Sequence, residues 1–193
     1  MRQFSESRKV GMREFMKKRK LPLVIAVAAV SCGGKTTIAT HLNESLQNSK
    51  TLYFDEYNFE GPDDILDWVD NGGNYDDWNL APLIKDLEAL LTEPLDYVVM
   101  DFPFAYKHFK TSKLIDFTVF IDTPLDIAMA RRVTRDFQDN SVESIFLDMN
   151  NYITQGRRGY LEMLLTIKPN SDIVIDGTLP ISEIVSFILK NVD

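Results

Sequence analysis

The residues best equipped for chemistry stand together in Ala29-Val30-Ser31-Cys32-Gly33-Gly34-Lys35-Thr36, with Thr37 directly behind them. Two adjacent glycines let successive backbone N–H groups turn toward one point, and a helix opening at Lys35 adds the positive end of its dipole. A nest of that kind binds phosphate oxygens. The ammonium of Lys35 suits β- and γ-phosphates, and the Thr36 hydroxyl suits Mg²⁺. The spacing is that of the phosphate loop G-x-x-x-x-G-K-[ST], with Ala29 in place of the first glycine. Ser31, Cys32, Gly33, Gly34, Lys35, Thr36 and Thr37 are therefore the candidate contacts to ATP, with Mg²⁺ beside Thr36. If the turn needed a positive φ at position 29, alanine there would cost about 1 kcal/mol. Cys32 lies beside a helix N-terminus, which favours a thiolate; the plainer reading is a filler position that lends only its backbone N–H.

Carboxylates and guanidiniums come next. Asp55, Asp101 and Asp122 each close a short apolar run. Arg131, Arg132 and Arg135 fall within five residues, and Arg131 and Arg135, four apart, share a helix face. Such a cluster can balance charge on a transferring phosphoryl group, because guanidiniums match phosphate geometry. His41 and His108 are isolated, and neither a zinc-type cluster nor a Ser-His-Asp arrangement is present in the sequence.

The elements that must hold these residues are legible as alternating strands and helices. Leu23 to Ala28 is a continuous apolar run, as in a parallel strand buried on both faces. Further strands are predicted at 51–54, 97–100, 117–121 and 173–175. Helices are predicted at 35–46, from Pro82 to about 91, over 142–167 and from Pro180 to 189. Another opens at Thr123-Pro124-Leu125-Asp126, read as a Thr cap with Pro at the first helical position. Alternation of this kind predicts right-handed βαβ units, hence an α/β fold. With a phosphate loop after the first strand, the expected fold is the three-layer P-loop NTPase type, a five-stranded parallel sheet with helices on both faces. Asp55, Asp101 and Asp122 then gather at the carboxyl edge of the sheet, where open α/β folds bind ligands.

Composition narrows the function classes. The 193 residues suit one domain. The single cysteine rules out an intrachain disulfide and suits a cytoplasmic setting. The longest apolar run, Leu21 to Val30, is too short for a membrane span, and it leads into the phosphate loop rather than into a cleavage site. Residues 1–20 carry eight Lys/Arg against two Glu and form a basic helix or arm; residues 21–193 carry 13 Lys/Arg against 27 Asp/Glu. So acidic a body predicts neither nucleic-acid nor membrane partners. A small-molecule acceptor is expected, and a homo-oligomer is compatible with the sequence. The guanine-reading Asn/Thr-Lys-x-Asp of GTPases is missing, and Asp70-Asn71-Gly72-Gly73 lacks a preceding strand.

The chain resembles the uridine kinase/phosphoribulokinase-like branch of P-loop kinases, which includes nicotinamide riboside kinases. The likeness rests on Tyr53-Phe54-Asp55-Glu56-Tyr57, Asn74-Tyr75-Asp76-Asp77-Trp78, Val98-Val99-Met100-Asp101-Phe102 and Arg131-Arg132-Val133-Thr134-Arg135-Asp136. It implies that Asp55 takes the proton from the attacking hydroxyl and that Asp101 lies near Mg²⁺. It also implies that Asp76, with Tyr57 and Trp78, meets the acceptor, and that a lid near 131–142 brings Arg131, Arg132 and Arg135 onto the phosphates. By this resemblance 21–193 is an ATP-dependent kinase domain acting on a small alcohol, most of all a nucleoside. Uridine kinases carry a β-hairpin before the Asp101 strand, whereas Leu90 to Asp96 passes straight from helix to strand. A vitamin precursor or sugar as acceptor therefore stays open, as does a catalytically silent nucleotide-binding regulator.

Overall fold

The computed structural model describes residues 21–138 and 140–192; the basic arm expected at 1–20 lies outside the described residues. Strands β1 (Leu23–Ala28), β2 (Ser49–Tyr53), β3 (Tyr97–Asp101), β4 (Phe117–Asp122) and β5 (Ile173–Asp176) form one sheet in the order β2-β3-β1-β4-β5. All four pairings are parallel. β1 is central: Ile25 lies between Val99 and Phe117, and no β1 residue is more than 4% exposed. That placement explains its unbroken apolar run, since a strand covered on both faces has no polar side.

Helices α1 (Lys35–Ser45), α2 (Ile65–Asp70), α3 (Ala81–Leu90), α4 (Phe109–Ser112), α5 (Leu125–Asp136), α6 (Val142–Asn151), α7 (Arg157–Thr166) and α8 (Ile181–Val192) cover the sheet. Alternate β1 side chains enter opposite layers. Leu23, Ile25 and Val27 pack with Ile38 and Leu42 of α1 and with Ile184 and Ile188 of α8. Val24, Ala26 and Ala28 join Leu83 and Leu87 of α3 and a group of aromatic rings. The three-layer arrangement expected from the alternation is the one observed.

Several local expectations change. β2 ends at Tyr53, so Asp55 sits in the 3-10 turn Phe54–Glu56 rather than on a strand. As the edge strand β2 is only partly buried, which is why it tolerates polar Ser49 and Lys50 opposite Tyr97 and Val98. α2 was not anticipated, although Asp64 caps it by accepting from the Leu66 and Asp67 N–H groups. The single long helix expected over 142–167 is broken by a π-helical turn at Tyr152–Gly156. Thr123 is not the cap of α5: Pro124 holds that position, and no side chain caps the helix.

Candidate active site

The phosphate loop runs from the end of β1 into α1. Its positive-φ residues are Cys32 (58°) and Gly34 (100°). Ala29 is not among them, so alanine carries no left-handed penalty there. Its side chain is buried in the core. Gly33 is required for a different reason, since a Cβ there would lie 2.8 Å from both Ala29 Cβ and the Val30 carbonyl oxygen. The Gly33 N–H donates to Val30 O at 2.9 Å and is therefore spent inside the turn. This alters the expected nest, whose donors begin at Gly34 and continue into the first turn of α1. No side chain caps α1, which leaves that turn facing a cavity of about 640 Å³. Ser31, Cys32, Gly33, Gly34, Lys35, Thr36 and Thr37 all line it.

Lys35 is the hub. Its ammonium lies 3.0 Å from Asp55 Oδ2 and 3.0 Å from Asp101 Oδ1. Asp101, at the end of β3 and only 1% exposed, also accepts from the Thr36 hydroxyl at 2.6 Å. Its Oδ1 has charge contact with Lys35 but no directed hydrogen bond. The Asp55 side chain is 74% exposed and lines the same cavity. The structure therefore brings together Asp55, Lys35, Thr36 and Asp101, the residues predicted as base, phosphate contact and metal side. Asp122, the third strand-end acid, is turned away into a pair with Lys168 at 2.5 Å.

The three arginines of α5 divide. Arg131 and Arg135 line the cavity. Arg135 pairs with its neighbour Asp136 at 2.5 Å, a bond that holds its guanidinium above the ordinary value and fully charged. Arg132 does not reach the cavity. It points to the α6–α7 side, donating to Asp148 at 2.7 Å and to the Tyr160 hydroxyl at 3.3 Å. Positions 131 and 135 share a face four residues apart, and 132 is a hundred degrees round the helix.

The expected acceptor residues divide as well. Trp78 lines the cavity together with Phe54 and Phe104, whose ring centroids lie 6.5 and 5.5 Å from its own. Its indole Nε1 is buried without a partner. Tyr57 is outside the cavity, stacked on Phe59 and donating to Asp86 at 2.9 Å; burial first, and then that bond, push its hydroxyl up to about 12. Asp76 also faces elsewhere, accepting from the Phe109 N–H at 2.7 Å at the start of α4. Phe54, Phe104, Tyr160 and the Gly177–Ile181 loop complete the cavity wall and were not singled out from the sequence. Only the aromatic richness around Asp55 hinted at them.

The fold is similar to that of solved structures, kinases among them. The chain aligns with a gluconokinase from Sinorhizobium meliloti 1021 at a TM-score of 0.52 and 19% identity, over 90% of this chain and 93% of that one. A protein from Eubacterium ventriosum matches at 0.53 and 16% identity, covering 89% and 98%. The fold is that of the P-loop kinases. In sequence the chain is 26% identical over 186 residues to a uridine kinase of Lactobacillus johnsonii, covering 81% of this chain and 87% of the relative. A uridine kinase of Brevibacillus brevis is 23% identical over 183 residues, covering 80% and 84%. No protein-family model matches the chain. Relatives of this kind support a phosphotransferase.

Proposed function

We propose that the protein transfers the γ-phosphoryl group of ATP to a hydroxyl of a small metabolite, most of all a nucleoside. The observation that carries the reading is the meeting of Lys35 with Asp55 and Asp101 at 3.0 Å beneath the loop, inside one cavity with Arg131 and Arg135. Phosphoryl transfer needs positioning and charge balance more than covalent help. The loop N–H groups and α1 dipole hold the phosphates, which draw Lys35 away from Asp55. Asp55, freed and solvent-facing, then takes the proton of the acceptor hydroxyl. Arg131 and Arg135 offset charge on the moving group. Arg132, braced against Asp148, acts as a strut of the 131–142 lid.

The donor set suits Mg²⁺. That ion keeps several waters and takes one or two protein ligands plus phosphate oxygens. No cluster of three ligating side chains exists among the described residues, whereas Thr36 and Asp101 stand side by side with Asp101 Oδ1 short of a hydrogen bond. Thr36 and Asp101 would hold the ion, which when bound neutralises charge on the phosphates.

For the acceptor, the aromatic wall and the relatives named uridine kinase favour a nucleoside. A non-nucleoside alcohol is favoured by one feature, the direct passage from α3 into β3 through Leu91–Asp96 without an added hairpin. No helix among the described residues is long and apolar enough to cross a membrane. The acidic body and lone thiol fit a cytoplasmic enzyme of small molecules, without nucleic-acid or membrane partners. The test is ADP release with Mg·ATP against nucleosides, nicotinamide riboside, pantothenate and simple sugars. Stimulation by a nucleoside is expected; stimulation by a sugar alone would give the alternative acceptor, and none at all, with ATP still bound, would turn the reading toward another alcohol or a catalytically silent nucleotide-binding regulator.

A further inference from the structure

Thr123, free of the capping role its sequence suggested, has a buried side chain at the exit of β4 and is 1% exposed. Its hydroxyl donates to the Gly33 carbonyl at 2.8 Å, across 90 residues of chain. The same hydroxyl packs against Gly177, where a Cβ would fall 1.9 Å from Thr123 Oγ1. Gly177 is fixed in turn, its N–H donating to the Asp122 carbonyl at 3.1 Å and its carbonyl accepting from Arg131 Nη2 at 3.3 Å. Arg131 closes the circuit over the loop, with Nη1 3.8 Å from where a Cβ on Gly34 would stand.

The bond matters because of the peptide it holds. Gly33 and Gly34 join two residues without side chains, the pairing least able to resist a peptide flip. In a planar trans peptide the carbonyl of one residue and the N–H of the next point in opposite directions. Fixing the Gly33 carbonyl toward β4 therefore aims the Gly34 N–H at the cavity. A flip would replace that donor with a carbonyl oxygen facing phosphate anions. The Gly33 N–H, spent on Val30, cannot compensate.

We propose that Thr123 is the positioning residue of the nucleotide site: it locks the Gly33–Gly34 peptide with its N–H toward the phosphates and ties that loop through Gly177 to Arg131. The inference rests on the nucleotide reading of the cavity, and its test needs no acceptor. Binding of Mg·ATP and of adenosine is measured by calorimetry for the wild type, Thr123→Val and Thr123→Ser. Thr123→Val keeps the shape without the donor and should weaken ATP about tenfold, or about 1.4 kcal/mol, with adenosine unchanged; Thr123→Ser should bind both as the wild type does. Equal ATP affinity in Thr123→Val, or equal losses of ATP and adenosine, would overturn the positioning role. A wild type that binds no ATP would instead overturn the nucleotide reading beneath it. Should Thr123→Val not fold, Thr123→Ala takes its place, with the same loss of ATP and the same adenosine affinity expected; equal losses of both, or none of ATP, would overturn the proposal.

Discussion

Lys35 and Asp101 should respond unequally to neutralisation. Lys35 is 8% exposed and has two carboxylates within 3.0 Å, whereas Asp101 is 1% exposed and has Lys35 as its cation and the Thr36 hydroxyl as its hydrogen-bond donor. Stranding one member of a fully buried ion pair costs about 3–5 kcal/mol. Lys35→Met strands Asp101, and since water can enter from the cavity, the low end applies, about 3 kcal/mol. Asp101→Asn leaves the ammonium with Asp55, whose 74% exposure limits that pair to about 1 kcal/mol. The Asn carbonyl can still accept from Thr36, so the expected loss is about 1–2 kcal/mol. In the double variant neither charge remains, and most of the Lys35→Met loss should return. The assay is urea unfolding of the nucleotide-free protein for all four members of the cycle. Asp101→Asn costing more than Lys35→Met, or a double variant as unstable as the sum, would refute the view that these charges hold each other.

Other expectations follow from single contacts. Burial holds the His108 imidazole below its ordinary value of 6.5, against the opposing pull of Asp76, with Lys110 adding to the lowering. A base depressed in this way contributes stability above about pH 6.5 that is lost as pH falls through the folded value. Thermal midpoints should therefore fall between pH 7 and pH 5.5, by pH values set around that reference, and His108→Asn, which keeps an acceptor for the Thr111 N–H, should flatten the slope; an unchanged slope would contradict the assignment. Arg131→Ala and Arg135→Ala should each lower kcat about a hundredfold or more. Arg132→Ala should instead cost about 2 kcal/mol of stability by leaving Asp148 unpaired, with a smaller loss of turnover, and kinetics alongside thermal melts would show the inverse if Arg132 touches phosphate. Trp78→Ala should raise the acceptor KM about tenfold, while Tyr57→Phe leaves it unchanged; equal effects would place Tyr57 back at the site.

The sheet was readable because β1 is covered on both faces, which forces an unbroken apolar run, and because β3, β4 and β5 each carry a short, largely apolar run up to an acid. The loop was readable because phosphate binding demands glycine and lysine at fixed spacing. What escaped depends on direction rather than type. Arg131, Arg132 and Arg135 look alike in sequence, and only the rotation of α5 against α6 and α7 separates cavity from strut. Tyr57 and Trp78 are both aromatic, yet the turn at Phe54–Glu56 sends Tyr57 onto Phe59 and Asp86. Asp76 carried a family resemblance but serves the first turn of α4. Thr123 read as a cap because local preference favours one, whereas tertiary structure drew its hydroxyl 90 positions back along the chain to Gly33.

The central claim is that Asp55 takes a proton from an acceptor hydroxyl while ATP sits in the loop. It is tested most directly by following transfer of labelled γ-phosphate from ATP to the stimulating acceptor, in the wild type and in Asp55→Asn, with ATP affinity measured on both. The account predicts a phosphorylated acceptor from the wild type, and from Asp55→Asn a kcat lower by about a hundredfold or more at near-normal ATP affinity. Near-normal turnover in Asp55→Asn, or release of labelled phosphate to water alone by the wild type, would contradict it.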